Sequence, residues 1–329
     1  MRTVFASALV LVFAGMCPAQ EKKVLRAGII GLDTSHVVAF TKALNDPNAK
    51  GPLADVKVVA AYPGGSPDVT ASRTRVKGFT ETLRNKYKVE IVDSIEALLP
   101  KVDVILLESV DGRPHLKQAI PVFKAGKPIF IDKPVAGSLA DAIEIFELAK
   151  KYKVPCFSSS SLRFSSGIIG MRNDSKVGKV IGCSIYAPCS LEEHHPDLFW
   201  YGVHGCEMLF TIMGTGCESV SRTNTKGTDV VVGKWKDGRI GTFRGIRDGR
   251  SGYGGLVFGS KAIVPVGRYE GYIPLLVEIC KFFKTGKAPV SAEETIEIFA
   301  FMEAADESKR QNGAPVKIAD VIEKARSSK

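Results

Sequence analysis

The chain has 329 residues, 45% of them hydrophobic and 24% charged, a composition typical of a globular protein long enough for two domains. Its net charge of +10 is dispersed in pairs such as Lys150 and Lys151, and no basic run is interleaved with aromatic residues, so nucleic-acid binding has little support. None of the seven cysteines forms a Cys-x-x-Cys pair, which gives no signal for zinc or redox motifs, and buried thiols are favoured over disulfides.

The amino terminus has the pattern of a secretory signal peptide. Arg2 precedes an apolar run at residues 4–14 that is too short to span a membrane, and Cys17 and Ala19 are small residues at the positions that a signal peptidase reads. We therefore expect Sec-type export and removal of residues 1–19, which lowers the net charge from +10 to +9 because Arg2 is lost. The mature protein is expected to start near Gln20 in the periplasm or another extracytoplasmic compartment.

Apolar runs alternate with helical periodicity from residue 24 to residue 160. Helices are predicted at residues 37–44 and 139–151, the second because Leu139, Ala142 and Phe146 fall on one face. Such alternation is typical of a parallel sheet with helices on both faces, and it predicts a Rossmann-type α/β domain at residues 20–160. The six predicted strands lie at residues 24–30, 56–61, 90–92, 104–107, 128–131 and 154–158.

The turn after the first predicted strand lies where the pyrophosphate of a dinucleotide would bind. A dinucleotide fingerprint has glycines for the tight turn, for close approach of the backbone to phosphate, and for helix packing. Gly31 supplies the first, but Asp33 and His36 replace the second and third, adding a like charge and bulk. Thr34 and Ser35 can cap the next helix and donate hydroxyl groups to an anion. The pattern fits either a degenerate cofactor turn or a helix cap without a ligand.

The end of the second predicted strand also departs from the dinucleotide pattern. A ribose-binding acid is expected there, but the sequence from Tyr62 reads Tyr-Pro-Gly-Gly. Gly64 and Gly65 can bring backbone N–H groups close to a phosphate, and Arg73 and Arg75 follow. These residues favour NADP slightly over NAD, although Pro-Gly-Gly is equally typical of a plain turn.

A charged pair follows the fifth predicted strand, where three β-favouring residues lead into Asp132-Lys133-Pro134. Open α/β sheets bind their ligands at the carboxyl ends of the strands. A lysine held there can be partly desolvated and can exchange a proton with a substrate hydroxyl group. Lys133 is therefore a candidate acid/base residue, and a surface lysine in a strand-to-helix turn is the alternative.

After residue 160 the pattern changes to longer strands separated by turns. Asp237 and Gly238 are typical of a hairpin turn between two of these strands. Carboxy-terminal helices are predicted from residue 274, at 274–283 and 293–311, the latter with Ser291 as its cap. These elements predict antiparallel strands covered by helices, an α+β domain at residues 161–329. The predicted strands lie at residues 180–186, 228–236, 241–245, 255–258 and 262–266.

Acidic, histidine and cysteine side chains crowd into residues 192–207, which contain three of the five histidines. Histidine is the natural acid/base near neutral pH. His204 and the acid three residues later would share a helical face, and His194, His195 or Asp197 could add metal ligands. Because adjacent histidines do not fix a coordination geometry, we predict no metal there. The alternative for His194 and His195 is a solvated loop before a helix capped by Asp197.

Eight segments spread along the sequence carry a further signal. They are Ala97-Leu98-Leu99-Pro100, Val102-Asp103-Val104-Ile105, residues 126–136, Leu162-Arg163-Phe164, Gly202-Val203-His204, Gly238-Arg239-Ile240-Gly241-Thr242, Ala304-Ala305-Asp306-Glu307-Ser308 and Gly313-Ala314-Pro315-Val316. In order and spacing they resemble the glucose-fructose oxidoreductase and inositol dehydrogenase (Gfo/Idh/MocA) family, over nearly all of the mature chain. Asp132 stands where that family usually has glutamate. The resemblance implies a Rossmann domain followed by an α+β domain with one large antiparallel sheet.

The resemblance also implies an NAD(P)-dependent oxidoreductase that acts on a sugar, a cyclitol or a derivative. Lys133 would be its acid/base and His204 would lie beside the substrate, with Trp200 in place of the aspartate that usually partners this histidine. Arg163 would hold the ligand or, alternatively, anchor an interdomain salt bridge. Substrate contacts are expected from Arg163, His194, His195 and Asp197. Cofactor contacts are expected from Gly28, Gly31, Asp33, Thr34, Ser35, Tyr62, Gly64, Gly65, Glu108 and His115.

Three functions remain open on the sequence alone. The first is the oxidoreductase, the second a glycoside hydrolase that uses bound nicotinamide without net redox change, and the third an exported carbohydrate-binding or assembly protein that kept the fold. Because the turn is degenerate and no free nicotinamide pool is expected outside the cytoplasm, we predict weak or altered nicotinamide binding. The resemblance further implies a homo-oligomer formed through the sheet of the second domain.

Overall fold

The computed structural model describes residues 24–328, so the predicted signal peptide lies outside the described residues. Its elements form two sheets with helices packed against them. The strands are β1 (Leu25–Ile30), β2 (Val56–Tyr62), β3 (Glu90–Ile91), β4 (Val104–Leu107), β5 (Ile129–Ile131), β6 (Cys156–Ser158), β7 (Val180–Pro188), β8 (Cys217–Asn224), β9 (Thr228–Trp235), β10 (Ile240–Ile246), β11 (Gly254–Gly259), β12 (Ile263–Pro265) and β13 (Val316–Lys317). The helices are α1 (Ser35–Leu44), α2 (Thr70–Arg73), α3 (Val76–Lys86), α4 (Ile95–Leu98), α5 (His115–Lys124), α6 (Leu139–Tyr152), α7 (Ser166–Ile169), α8 (Asp197–Trp200), α9 (Val203–Met213), α10 (Ile273–Thr285), α11 (Ala292–Arg310) and α12 (Ile318–Ser327).

The first sheet is parallel throughout and has the strand order β3-β2-β1-β4-β5-β6. All four residues of β4 are buried because helices cover both faces of the sheet. Val104 and Leu106 face a core shared with α1, whereas Ile105 and Leu107 face a core shared with α5 and α6. The predicted Rossmann-type sheet is therefore confirmed.

One helix of the carboxy-terminal half returns to the first sheet. Leu276 and Ile279 of α10 are buried in the same core as Phe40 of α1 and Phe130 of β5. The second half of the chain therefore contributes α10 to the core of the first domain, where this helix packs beside α1 against the first sheet. The return also brings Tyr272, the residue before α10, to the amino end of α1.

The second sheet has the strand order β12-β11-β7-β10-β9-β8-β13. Its pairings are antiparallel except for one parallel pair formed by β7 and β10, so the predicted large, mainly antiparallel sheet is confirmed. β8 and β13 are additions to the predicted strands. Helices α9 and α11 pack against the sheet. Apolar side chains remain exposed on its strands, among them Ile181, Tyr186, Ile240 and Leu256.

Two further observations on the described part of the chain concern its cysteines and the length and polarity of its helices. Its six cysteines are free thiols, and five of them are buried. Across residues 24–328, every helix is too short or too polar to cross a membrane.

Candidate functional site

A polar cleft of about 500 Å³ lies at the carboxyl ends of β1 and β5, where the first sheet faces the second half of the chain. The first domain contributes Thr34, Ser35, His36, Arg75, Asp132 and Lys133 to its lining. The second half contributes Trp200, Tyr201, His204, Tyr253, Tyr269 and Tyr272. Aromatic faces with a few charged groups between them are typical of a site for a small polar ligand.

Lys133 and His204 meet the same tyrosine in this cleft. The Lys133 Nζ lies 5.6 Å from the centre of the Tyr201 ring, within the range of a cation–π interaction. The His204 ring packs edge-on against Tyr201, with 5.0 Å between ring centres, and its Nδ1 lies 2.7 Å from the Ser160 hydroxyl oxygen. The two residues that the sequence predicted as a catalytic pair therefore lie in one cleft.

The electrostatic surroundings of His204 keep its imidazole neutral. The side chain is buried near the start of α9. Burial, followed by the positive charges of Lys133 and His36, lowers the pKa of His204 well below its ordinary value of 6.5. A neutral imidazole has one donor and one acceptor nitrogen, so it can orient a hydroxyl group in either direction.

A buried charged triad, formed by His36, Glu108 and Asp132, lies beside Lys133. His36 is the second residue of α1, Glu108 directly follows β4, and Asp132 directly follows β5, so the triad lies at the carboxyl ends of the adjacent strands β1, β4 and β5. The Nδ1 atom of His36 lies 2.8 Å from Asp132 Oδ2 and 3.6 Å from Glu108 Oε2. The ring of His36 is held between Phe40, stacked at 5.3 Å, and Tyr272, edge-on at 4.5 Å.

The surroundings shift the pKa values of the three triad residues in different ways. Burial works against a protonated His36, but attraction to Asp132 and hydrogen bonding to both acids outweigh it and raise the pKa of His36 to about 10. Burial, followed by the nearby Asp132 charge, raises the pKa of Glu108 to about 7. Burial would also raise the pKa of Asp132, yet the charge of His36 lowers it. The surroundings therefore favour the protonated form of His36 and the ionised form of Asp132, and they oppose ionisation of Glu108.

Asp33 occupies the turn where the second glycine of a dinucleotide fingerprint would be. Its carboxylate is fully buried and accepts hydrogen bonds from the Val110 backbone N–H, at 2.8 Å, and from the Ser72 hydroxyl, at 2.6 Å. Burial raises the pKa of Asp33. Asp33 thus links the turn after β1 to the loop after β4 and to α2. The carboxylate lies between the loops that would flank a pyrophosphate.

The glycines of this region also pack against protein. A Cβ added to Gly31 would lie 2.5 Å from the Ser109 backbone nitrogen, so the loop after β4 fills the space above Gly31. The backbone N–H groups of Gly31 and Leu32 donate to the carbonyl oxygens of Tyr62, at 2.9 Å, and Pro63, at 2.7 Å. The N–H groups of Gly31 and Leu32 and the space above Gly31 are used within the chain, and Asp33 places a carboxylate in the turn. The residues present therefore do not fit a dinucleotide in the usual arrangement.

The remaining predicted cofactor residues have structural partners. Thr34 caps α1 by accepting a hydrogen bond from the His36 N–H, and Ser35 lies 3.3 Å from the Tyr272 hydroxyl oxygen. A Cβ added to Gly64 would contact the Gly31 Cα at 3.5 Å, and one added to Gly65 would contact Ser72 at the same distance.

The two arginines that favoured NADP in the sequence have different surroundings. Arg73 donates to the Pro67 carbonyl oxygen, at 2.9 Å, whereas Arg75 lines the cleft.

Gly28 and His115 also contribute to packing. A Cβ added to Gly28 would lie 3.1 Å from side-chain atoms of Leu98 and Val102, so the glycine allows close packing beneath the sheet. Both ring nitrogens of the buried His115 face backbone carbonyl oxygens, of Ser109 at 2.9 Å and Val135 at 3.2 Å. Burial lowers the pKa of His115. Their predicted contact with a cofactor is therefore corrected to a role in the protein interior.

His194 and His195 hold the loop before α8 against the first domain. His195 Nε2 lies 3.1 Å from Asp111 Oδ1 and 3.3 Å from the Gly112 backbone nitrogen, and the His195 side chain is fully buried. His194 pairs with Glu192 and approaches Asp68 of the first domain at 3.6 Å. These histidines do not line the cleft and do not form a solvated loop, because acids of the first domain bind them.

Two other predicted substrate residues are buried in ion pairs. Arg163 contacts Glu207 at 2.5 Å and Glu294 at 2.8 Å. All three residues lie in the second half of the chain, so this salt bridge is structural but does not join the two domains as the alternative expected. Asp197 accepts from Arg222 at 2.9 Å and from Lys309 at 2.6 Å. Neither side chain lines the cleft.

The comparisons with known proteins agree with this architecture. A probable dehydrogenase from Thermotoga maritima is 22% identical, with a TM-score of 0.72 over 90% of this chain and 100% of the other. Myo-inositol 2-dehydrogenase from Lactobacillus plantarum is 17% identical, with a TM-score of 0.72 over 90% and 99%. Scyllo-inositol dehydrogenase from Lactobacillus casei, solved with NAD(H) and scyllo-inositol, is 13% identical, with a TM-score of 0.72 over 90% and 100%. Comparison with curated protein sequences gave no match.

A six-stranded parallel sheet whose strand ends face a second, large sheet defines a two-domain protein with a Rossmann-type first domain. Residues 25–160 match the family described as oxidoreductase family, NAD-binding Rossmann fold. This match confirms the predicted resemblance to the Gfo/Idh/MocA family for the first domain.

His36 and Asp132 were absent from the predicted site residues. A signal for Asp132 was available, because it is a charged residue that directly follows an apolar strand, as Glu108 does. For His36 the available signal was its position in the first turn, where a glycine was expected.

Proposed function

We propose that the protein binds a sugar, a cyclitol or a related polyol in the cleft and acts on the hydroxyl group nearest Lys133. The observation that carries this proposal is the position of Lys133 and His204 around one ring, that of Tyr201. An ammonium group can donate a proton to a substrate oxygen, and a neutral imidazole can donate or accept one. Together the two residues can hold a hydroxyl group and move its proton.

The aromatic lining supports a polyhydroxylated ligand. Tyr269 lies 5.9 Å from Tyr253 and 6.3 Å from Tyr272 between ring centres, so these rings form a continuous wall. Such rings combine an apolar face with a polar hydroxyl tip, which matches the alternating C–H and hydroxyl groups of a sugar ring. Two of the similar structures are by name inositol dehydrogenases, and inositols are polyols of this kind.

The reaction class has support from the family, whose members are oxidoreductases with an NAD-binding Rossmann fold. The buried Asp33 carboxylate opposes tight dinucleotide binding at the turn, and the side chains near Gly64 favour neither NAD nor NADP. No chemical step is therefore assigned to a nicotinamide. The same observation favours a second candidate, an exported carbohydrate-binding or assembly protein that kept the fold without redox activity.

Calorimetric titration of the purified protein with a panel of inositols and monosaccharides tests the first candidate. Lys133→Ala is compared with the wild type and with Lys150→Ala, which removes an exposed lysine from α6. We expect at least one polyol to bind, and its turnover with added NAD or NADP to disappear in Lys133→Ala alone. Binding without turnover would favour the second candidate, and absence of binding to every polyol would contradict both.

Export is proposed from the signal-peptide pattern alone, since residues 1–19 lie outside the described residues. Mass spectrometry of the protein from its native host is expected to give a mature chain that begins near Gln20. An intact Met1 would contradict export, and a lipid on Cys17 would replace the proposed cleavage by anchoring.

A homo-oligomer is proposed from the exposed apolar side chains on the strands of the second sheet, which include Ile240, Ile181 and Leu256. Burial of such a patch against a second copy would remove apolar area from water. Light scattering of the wild type and of Ile240→Lys measures the association, which is expected to weaken in the variant. A monomeric wild type at micromolar concentration would contradict the proposal.

A further inference from the structure

We propose that the buried charged triad of His36, Glu108 and Asp132 is a binding site for one divalent transition-metal ion at the floor of the cleft. Glu108 and Asp132 directly follow the adjacent strands β4 and β5, and His36 lies in the first turn of α1, which follows the neighbouring strand β1. One ligand atom from each can be chosen so that all three lie within 4.8 Å of one another. Residues this far apart in sequence are brought to a common point by the fold itself.

The polar atoms of the triad lack ordinary partners. Apart from the approach of His36 Nδ1 to one oxygen of each acid, His36 Nδ1 and the four carboxylate oxygens of Glu108 and Asp132 are buried without a hydrogen-bond partner among the described residues. Glu108 and Asp132 are fully buried, and His36 is 7% exposed. Buried carboxylates nearly always accept hydrogen bonds, and two of them side by side in a dry site repel each other. One imidazolium proton cannot satisfy both groups, whereas a divalent ion would balance two negative charges and contact an oxygen of each.

The spacing of the atoms suits a small ion. Adjacent ligands in octahedral or tetrahedral coordination with bonds of about 2.1 Å lie roughly 3.0–3.4 Å apart. The observed separations from His36 Nδ1 are 2.8 Å to Asp132 and 3.6 Å to Glu108, so small side-chain movements would complete the geometry. One imidazole with two carboxylates is a donor set for ions such as Mn²⁺, Fe²⁺, Co²⁺ or Zn²⁺.

The surroundings of the triad favour a fixed coordination geometry with open positions. Phe40 and Tyr272 hold the His36 ring from two sides, as the residues around a metal ligand commonly do. His36 and Asp132 also line the cleft, so an ion between them would have free positions on the ligand side. The nearby positive charge of Lys133 would repel a metal ion. The same charge acts to lower the pKa of both Glu108 and Asp132.

The consequence for chemistry rests on the proposed function, while the binding of the ion does not. An ion at this point could coordinate a hydroxyl oxygen of a polyol beside Lys133 and make its proton easier to remove. A structural triad in which a protonated His36 balances the two acids is the competing arrangement, and the experiment below separates the two.

The test uses the mature chain after treatment with a chelator and dialysis. Calorimetric titration with MnCl₂, CoCl₂ and ZnCl₂ is expected to show one ion per chain, without any polyol present. Glu108→Gln keeps the volume and removes the charge, and we expect it to weaken binding by at least about tenfold. Glu147→Gln is the matched control, because Glu147 is an exposed acid of α6 outside the triad, and it should keep the affinity within about threefold.

A spectroscopic measurement on the wild type covers the case in which Glu108→Gln does not fold. Bound Mn²⁺ is expected to broaden the ring resonances of Tyr272, which contacts His36, far more than those of the remote Tyr152. Absence of binding by every ion, equal affinity in Glu108→Gln, or equal broadening of both tyrosines would overturn the proposal. Because no polyol enters these measurements, failure of the proposed function would leave their result unchanged.

Discussion

The Asp33 carboxylate accepts a hydrogen bond of 2.8 Å from the backbone N–H of Val110 and thereby joins the turn after β1 to the loop after β4. In a dinucleotide-binding domain these two segments are separated by the cofactor, with a glycine at the position of Asp33. The second carboxylate oxygen accepts from Ser72, so the acid connects three segments around one buried point. The Asp33 carboxylate, whose charge would repel a pyrophosphate, instead connects these segments through hydrogen bonds inside the protein.

Replacing Asp33 with glycine should lower the stability of the protein and raise its affinity for a dinucleotide. Asp33→Gly removes two buried hydrogen bonds and leaves two donors without an acceptor, so we expect the free energy of unfolding to fall by about 1–3 kcal/mol. The same change removes the negative charge and opens the turn, so the affinity for NAD or NADP should rise at least about tenfold. Urea unfolding and calorimetric titration measure the two effects.

Asp33→Asn serves as the control for that experiment, because it keeps the volume of the side chain while removing the charge. We expect a smaller gain in dinucleotide affinity from Asp33→Asn than from Asp33→Gly, since the turn remains filled. Tight, stoichiometric nicotinamide in the wild-type protein would contradict the argument and would mean that the loops around Asp33 separate when the cofactor binds.

The sequence predicted the first sheet well because its strands are buried on both faces. The predicted strand at residues 104–107 coincides with β4, an apolar run bounded by polar residues. β8 was missed because its pattern is polar, although Arg222 within it is fully buried by ion pairs with Asp229 and Asp306. The parallel pairing of β7 with β10 joins segments that are distant in sequence, so no local pattern could predict it.

The candidate site could be predicted in part for a related reason. Lys133 follows a recognisable strand, and its position in the same cleft as His204 was expected from the family resemblance. The partners that decide whether a charged residue is buried lie far away in sequence. Arg163 was assigned to the ligand because its pairing with Glu207 and Glu294 depends on how α9 and α11 pack together. The internal use of Asp33 was hidden for the same reason.

His204 should make the protein less stable in acid. Its pKa in the folded protein is lowered below 6.5 while the unfolded chain keeps the ordinary value, so the unfolded state binds the proton first as the pH falls. Relative to His204→Asn, the wild type should lose up to about 1.4 kcal/mol of stability per pH unit below about pH 6.5. Urea unfolding of both proteins between pH 7.5 and pH 5 gives this difference, and a constant difference over that range would show that the pKa of His204 is the same in the folded and unfolded states.

Arg163 should prove structural. Its guanidinium is buried between two acids, so Arg163→Met leaves Glu207 and Glu294 uncompensated and should lower the free energy of unfolding by about 3–5 kcal/mol. Adding Glu207→Gln should restore part of the loss, because it removes one of the unpaired charges. Affinity for a polyol should change by less than about threefold in the folded variants. A selective loss of ligand affinity with unchanged stability would restore Arg163 to the ligand site.

Replacement of Lys133 should abolish turnover with little loss of stability, in contrast to replacement of Arg163. Its ammonium group lies in the cleft, half-buried and in contact with the Tyr201 ring, so it contributes little to the packing of the core. Lys133→Ala is therefore expected to abolish turnover of a bound polyol while the free energy of unfolding changes by less than about 1 kcal/mol. Lys133→Arg keeps the positive charge but cannot give up its proton near neutral pH, so it should bind the polyol without turning it over. Activity of Lys133→Arg equal to the wild type would limit Lys133 to electrostatic binding of the ligand, and a large loss of stability in Lys133→Ala would instead identify this lysine as part of the structural framework.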